Sequence, residues 1–143
     1  MIQHIITMKI KRALKVRLYP TPEQASLIKQ TAGCKRLVYN YFLAHKNNFY
    51  DENIKDKDLT DKQKKEIYSS YKPPKLVDLK NEFPFLNDVS YKALEQSIQD
   101  LFKAFQNFFQ GRADKSNFKK KKKYILKRIS TPPNNCFKIV SST

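Results

Sequence analysis

The sequence predicts a mainly α-helical domain with a small antiparallel β part, and three observations carry that prediction. Between Ser90 and Gly111, Leu94, Ile98, Leu101, Phe105 and Phe108 recur at steps of three and four, the longest regular apolar pattern in the chain. Residues 9–19 alternate instead, with Ile10, Leu14, Val16 and Leu18 on one face and Lys9, Lys11, Lys15 and Arg17 on the other. Two short β-like segments, 124–129 and 137–140, flank a Thr131-Pro-Pro-Asn-Asn135 turn.

Composition bounds what this architecture can do. At 143 residues and 40% hydrophobic content, the chain supports one modest core and no second full domain. Its 2 glycines and the absence of tryptophan argue against a Gly-rich phosphate loop and against a turn-dense β-sandwich. The formal net charge of +16 repels itself in a compact state, so a polyanion is the natural partner. Nucleic acid comes first and an acidic membrane surface second, with a basic surface kept for solubility as the alternative. Cys34 and Cys136 lie far apart, and the segment Met1–Ile10, which includes His4, is too short to span a bilayer. These features fit a reduced, intracellular, cytoplasmic protein.

In chain order, residues 1–8 form an N-terminal extension, and 9–143 form a single domain. Its parts are a strand at 9–19, helices over about 22–110, a basic linker at 111–123 and incomplete strands at 124–140. The strand is either a lysine-protected edge or a phosphate-contacting face. Thr21, Pro22 and Gln24 then give a helix start, with Thr21 as N-cap, proline at the first helical position and Gln24 able to close a capping box. That helix carries Leu27 and Ile28, with Leu27 expected to share a core with Val38, Phe42, Leu79, Leu94, Leu101 and Phe105, and is expected to end near Thr31 to Gly33. A second helix resumes at Cys34 with Leu37, Val38, Tyr41, Phe42, His45 and Phe49 on one stripe, which makes a helix-turn-helix-like pair. Lys35 and Arg36 fall in its expected first turn, where the helix dipole disfavours cations and an anionic ligand would be welcome.

Residues 51–72 are polar, with a loop and then a short surface helix from about Asp61. Pro73-Pro74 breaks the chain, Leu76, Leu79 and Phe83 return to helical spacing, and Phe83-Pro-Phe-Leu86 makes an apolar turn over the core. Ser90 and Gly111 are placed to start and stop the long apolar helix. Arg112, Lys115 and the run Lys119 to Lys123 follow directly.

Little in the chain points to catalysis. A zinc site needs about four Cys or His ligands in close pairs, and the inventory is His4, Cys34, His45 and Cys136, with no CxxC or HxxxH. Cys34 and His45 fit core positions better than a nucleophile and its base. The acids Asp51, Glu52, Asp56, Asp58 and Asp61 sit in a polar linker, a poor platform for a two-metal nuclease. No cofactor, metal, catalytic residue or small-molecule substrate is expected.

Five separated motifs nevertheless occur in a recognisable order: Lys15-Val-Arg-Leu-Tyr-Pro-Thr21 with Gln24, Gly33-Cys-Lys-Arg-Leu-Val-Tyr-Asn40, Ala93-Leu94 with Gln96, Ala104-Phe-Gln-Asn-Phe-Phe109, and Asn117-Phe-Lys-Lys-Lys121. From about Lys9 to Val140 the chain resembles the amino-terminal region of the OrfB/TnpB transposon-encoded proteins, RNA-guided DNA endonucleases related to type V CRISPR effectors. The resemblance implies a helical bundle, helix-turn-helix-like, inserted in an incomplete wedge-type β-barrel. It implies binding of DNA, guide RNA or both, with the helix that holds Tyr91, Lys92 and Gln96 resembling the reader of a short motif beside the target. Glu95 departs from the glutamine common in the family; it can accept from cytosine N4 but repels phosphate.

The family's RuvC-like nuclease and four-cysteine zinc ribbon lie downstream of this region and are not in the sequence. A transposon-protein remnant that binds nucleic acid without catalysis is the leading expectation. The alternatives are a subunit of a split nuclease that works with a separate nuclease chain, and a non-functional pseudogene product. The expected contacts are Lys11, Lys15 and Arg17 on the strand, Lys35 and Arg36 at the helix start, Tyr91, Lys92 and Gln96, then Arg112 and Lys119, Lys120, Lys121, Lys122 and Lys123.

Overall fold

The computed structural model describes residues 19–121. Among them are four α-helices, α1 (Pro22–Asn53), α2 (Asp61–Ser70), α3 (Leu76–Glu82) and α4 (Tyr91–Phe109), with a 3₁₀ turn at Pro84–Asp88 between α3 and α4. The described residues contain no strand. The segment 9–18 of the expected first strand, the segments 124–129 and 137–140 and the wedge-type barrel they would build lie outside the described residues, as does the extension 1–8.

α1 begins as its sequence predicts. The Thr21 N–H donates to Gln24 Oε1 at 3.0 Å and the Gln24 N–H donates to Thr21 Oγ1 at 3.3 Å, with Pro22 supplying a residue that needs no amide partner. The expected turn near Thr31 to Gly33 is absent, because α1 runs unbroken for 32 residues. Thr31 turns its hydroxyl back to the Leu27 carbonyl at 2.8 Å, and Gly33 stands with open space around the position a Cβ would take. A glycine inside a helix costs about 1 kcal/mol relative to alanine. Immediately after it, Cys34, Val38, Tyr39, Phe42 and Leu43 are all buried on the same helix, so tertiary burial outweighs that local penalty. Lys35 and Arg36 therefore lie mid-helix, and the dipole argument for an anion at a helix start does not hold there.

α4 packs along α1 as the principal helix pair. Ser97 of α4 touches the Lys35 carbonyl and Phe105 of α4 lies under the Lys46 ammonium, so the two helices run in the same direction. That requires the intervening chain to cross back, which α2, α3 and the 3₁₀ turn accomplish. Leu76 and Leu79 from α3, Leu86 from the 3₁₀ turn and Val89 complete one core with Val38, Phe42, Leu43, Leu94, Leu101 and Phe105. The expected core residue Leu27 is instead 55% exposed. Phe108 and Phe109 are also exposed, and Ser97 occupies a buried position that the apolar pattern passes over.

The element ends follow from local chemistry. α2 has a second capping box, with Thr60 and Gln63 exchanging hydrogen bonds. Ser90 starts α4 through its carbonyl, which accepts from Ala93 at 3.0 Å; its side chain makes no capping bond, contrary to expectation. At the other end Gly111 takes φ +69°, its N–H donates to the Phe108 carbonyl and the Arg112 N–H donates to the Asn107 carbonyl, the paired closure that a left-handed residue permits.

Candidate nucleic-acid interface

After Gly111 the chain reverses and runs back along α1. Lys115 Nζ stands 5.5 Å from the centre of the Tyr50 ring near the end of α1, and Lys119 Nζ stands 4.6 Å from the Tyr39 ring in its middle. At the second point the backbone is held as well. Asn40 Nδ2 donates to the Lys119 carbonyl at 3.0 Å, and the Lys119 N–H donates to Asn40 Oδ1 at 2.8 Å. The segments Gly33–Asn40 and Asn117–Lys121, far apart in sequence, meet through these two bonds.

Helical spacing puts Lys29, Gly33, Arg36 and Asn40 on one face of α1, so the backbone that carries Lys119, Lys120 and Lys121 is attached to a face that already holds two cations. All three lysines are exposed, whereas Lys35 and Arg36 are half-buried. Lys35 also contributes structurally, since its carbonyl accepts the buried Ser97 hydroxyl at 2.7 Å. That contact sets Ser97 of α4 at the level of Lys35 on α1.

Tyr91, Lys92 and Gln96 are already engaged by neighbours. Lys80 Nζ approaches the Tyr91 ring at 5.7 Å, Lys92 Nζ pairs with Glu95 Oε2 at 3.1 Å, and Gln96 Nε2 donates to Asp100 Oδ1 at 2.9 Å. Glu95 thus neutralises the lysine next to it, and a ligand here would compete with two local interactions. Arg112 lies at the opposite end of α4, about 20 Å from Gln96 along the helix axis. Lys11, Lys15, Arg17, Lys122 and Lys123 lie outside the described residues.

The sequence pattern missed two features of this surface. One is Asn40 itself, a polar residue beside a buried stripe. The other is Lys46, whose ammonium lies 3.8 Å from the Phe105 ring centre, with Tyr71 and Phe109 at 5.8 and 5.9 Å. Burial pulls the Lys46 pKa below its ordinary value. Among the described residues no carboxylate pairs with it, and ring faces provide its electrostatic compensation.

Chemistry beyond binding has little to work with. Cys34 is a buried free thiol whose pKa is raised by desolvation and by the charge of Asp88. His45 is exposed rather than in the core, its Nδ1 3.2 Å from the Tyr71 hydroxyl. Three helical turns separate Cys34 from His45, about 16 Å, so they form no pair. Asp51 and Glu52 belong to the last turn of α1 rather than to a loop. Among the described residues no three His, Cys, Asp or Glu side chains are grouped to hold a metal ion, and no helix is long and apolar enough to cross a membrane.

Residues 8–55 match the family model of the OrfB/IS605 helix-turn-helix domain. This segment is similar to an OrfB-type helix-turn-helix domain. Of the matched residues, those the structure describes are α1 with its two ends. Beyond it, the chain is 35% identical over 116 residues to a candidate RNA-guided DNA endonuclease of Streptomyces pristinaespiralis. It is 33% identical over 118 residues to InsQ, a candidate RNA-guided DNA endonuclease of Escherichia coli. Each match takes in 80% of this chain but only 27% and 26% of the relative, so the chain spans about a quarter of the length of these curated relatives. No solved structure matches.

Proposed function

We propose that these residues bind nucleic acid inside the cell, DNA or guide RNA or both, as the amino-terminal region of a TnpB-like protein does, and that they do not cut it. The observation that carries this reading is the basic run Lys119 to Lys121, exposed yet held by Asn40 on the α1 face that bears Lys29 and Arg36. Cations fixed to a rigid helix contact successive phosphates at lower ordering cost than cations on a loose tail. In this reading Lys35, Arg36, Arg112 and Lys119 to Lys123, with Lys11, Lys15 and Arg17, contact the phosphate backbone. Tyr91, Lys92 and Gln96 approach the bases, where the Lys92–Glu95 pair must open first.

Fluorescence anisotropy with labelled single-stranded RNA, single-stranded DNA and duplex DNA tests the reading across a salt series. Counterion release makes log K fall steeply with log salt, by about 0.9 per neutralised phosphate on duplex DNA. An affinity independent of salt would count against a phosphate-binding face. Magnesium-dependent cleavage by the purified chain would refute the absence of catalysis.

A second reading is that the same surface serves a nuclease whose cutting part is a separate chain; both relatives carry the name of an RNA-guided DNA endonuclease. Reconstituted cleavage on adding such a chain with a guide RNA would support it.

A further inference from the structure

We infer that Asn40 is a positioning residue for the basic run, presetting the backbone at Lys119 so that Lys119 to Lys121 meet phosphate in a fixed register. A carboxamide carries the same donor and acceptor as a peptide group, and Asn40 uses both on one residue, donating to the Lys119 carbonyl at 3.0 Å and accepting from its N–H at 2.8 Å. This is the exchange that a neighbouring strand would provide, supplied here by a helix side chain. The Tyr39 ring beside it receives the Lys119 ammonium at 4.6 Å, so backbone and side chain of Lys119 are both located by consecutive residues of α1. The two Asn40–Lys119 bonds lie outside the buried core, although the Tyr39 ring beside them belongs to it, and all three lysines keep their exposure. Its loss would free the run while leaving the helix pair intact.

Alanine and serine at position 40 cannot reproduce the paired bonds. Aspartate keeps the acceptor, loses the donor and adds a negative charge beside the lysines. Asparagine alone among residues of this length satisfies both backbone groups without changing the local charge.

This inference rests on the nucleic-acid reading above, and the experiment separates the two. Four versions of the full chain are compared: wild type, Asn40→Ala, the triple variant Lys119→Gln, Lys120→Gln, Lys121→Gln, and their combination. Affinity for labelled nucleic acid is measured by anisotropy, the Lys119 amide exchange rate by NMR, and the melting temperature by circular dichroism. Asn40→Ala is expected to lower affinity about tenfold, the scale of two lost net hydrogen bonds. It should accelerate Lys119 amide exchange and lower the melting temperature by about 5 °C, the scale such a loss gives in a chain of this length. In the triple-variant background the same substitution should change affinity much less, because the three lysines that Asn40 positions carry no charge there. Equal losses in both backgrounds, unchanged affinity in the wild-type background, or unchanged Lys119 exchange would each overturn the inference. A wild-type chain that binds no nucleic acid, with Lys119 exchange still governed by Asn40, would refute the functional reading and with it the positioning role, and leave only a structural clamp.

Discussion

Ser97 donates its hydroxyl to the Lys35 carbonyl at 2.7 Å across a separation of 62 residues, and it is the buried polar side chain of the described core. The contact joins α4 to α1 at the level of Lys35. A small residue lets the two helices approach closely there, and the hydroxyl gives its own hydrogen a partner. Ser97→Ala should therefore cost about 1 kcal/mol, because the Lys35 carbonyl keeps its helical partner and only one net hydrogen bond is lost. Ser97→Val adds volume at a close contact and should cost about 1–3 kcal/mol. Urea unfolding followed by circular dichroism distinguishes the two, and a valine variant as stable as wild type would show that the contact is not tight.

The core makes a second, sharper contrast. Leu94 is fully buried at 0% exposure, whereas Leu27, which the sequence pattern places in the same core, is 55% exposed. Leu94→Ala should lose about 2–5 kcal/mol by transfer and cavity terms, and Leu27→Ala should stay within about 0.5 kcal/mol. Comparable losses at both positions would mean that Leu27 is covered in solution.

Much of this architecture was legible because the deciding signals are local. Thr21, Pro22 and Gln24 announce a helix start through chemistry within four residues, and Gly111 stops α4 as glycine's freedom at positive φ allows. The apolar spacing of Leu94, Leu101 and Phe105 finds the buried face of α4 for the same reason. What was not legible depends on partners remote in sequence. Thr31 and Gly33 have weak helix preference and suggest a turn, yet the packing of Cys34, Val38 and Phe42 carries α1 through them. The candidate surface divides in the same way. The lysines of the basic run stand out by composition, but their attachment to Asn40 spans 79 residues and no periodicity encodes it. Lys46 carries nothing in its local sequence to announce that three rings from α1's surroundings will enclose it.

The tyrosines near that enclosure set an alkaline stability limit. Burial raises the pKa of Tyr71, and burial together with Tyr50 raises that of Tyr68, so both hydroxyls hold their protons more tightly folded than unfolded. A group with a raised folded pKa contributes stability that is present below its unfolded pKa, about 10 for tyrosine, and lost as pH rises through the folded value. Lys46 works in the opposite sense, since its lowered pKa lets stability recover as it deprotonates. The Tyr68→Phe, Tyr71→Phe double variant should consequently lose less stability than wild type between pH 9 and pH 11 in urea unfolding. Parallel losses would mean that neither hydroxyl titrates differently on folding.

Cys34 should be unreactive in the folded chain. It is 4% exposed, and desolvation with the nearby Asp88 charge raises its pKa, so little thiolate forms at neutral pH and what forms is shielded. In a Cys136→Ser variant, a thiol-specific chromogenic reagent should label Cys34 slowly without denaturant and rapidly in it. Rapid native labelling would mean that the α1–α4 seam opens easily at Cys34.

The two glycines provide the most direct test of the long helix. Gly111 takes φ +69°, where an L side chain is strained, so Gly111→Ala should destabilise by about 1–2 kcal/mol. Gly33 has no heavy atom within 4 Å of the position a Cβ would occupy, and it lies inside α1 with helical geometry. Gly33→Ala should therefore stabilise by about 0.5–1 kcal/mol, through better helix propensity and a less flexible unfolded chain. If a helix-turn-helix break occurred at this point with glycine in a left-handed conformation, the sign would reverse and alanine would destabilise. Thermal unfolding of the two variants beside wild type decides between one continuous helix and two, because the continuous α1 requires the shifts at Gly33 and Gly111 to be opposite in direction.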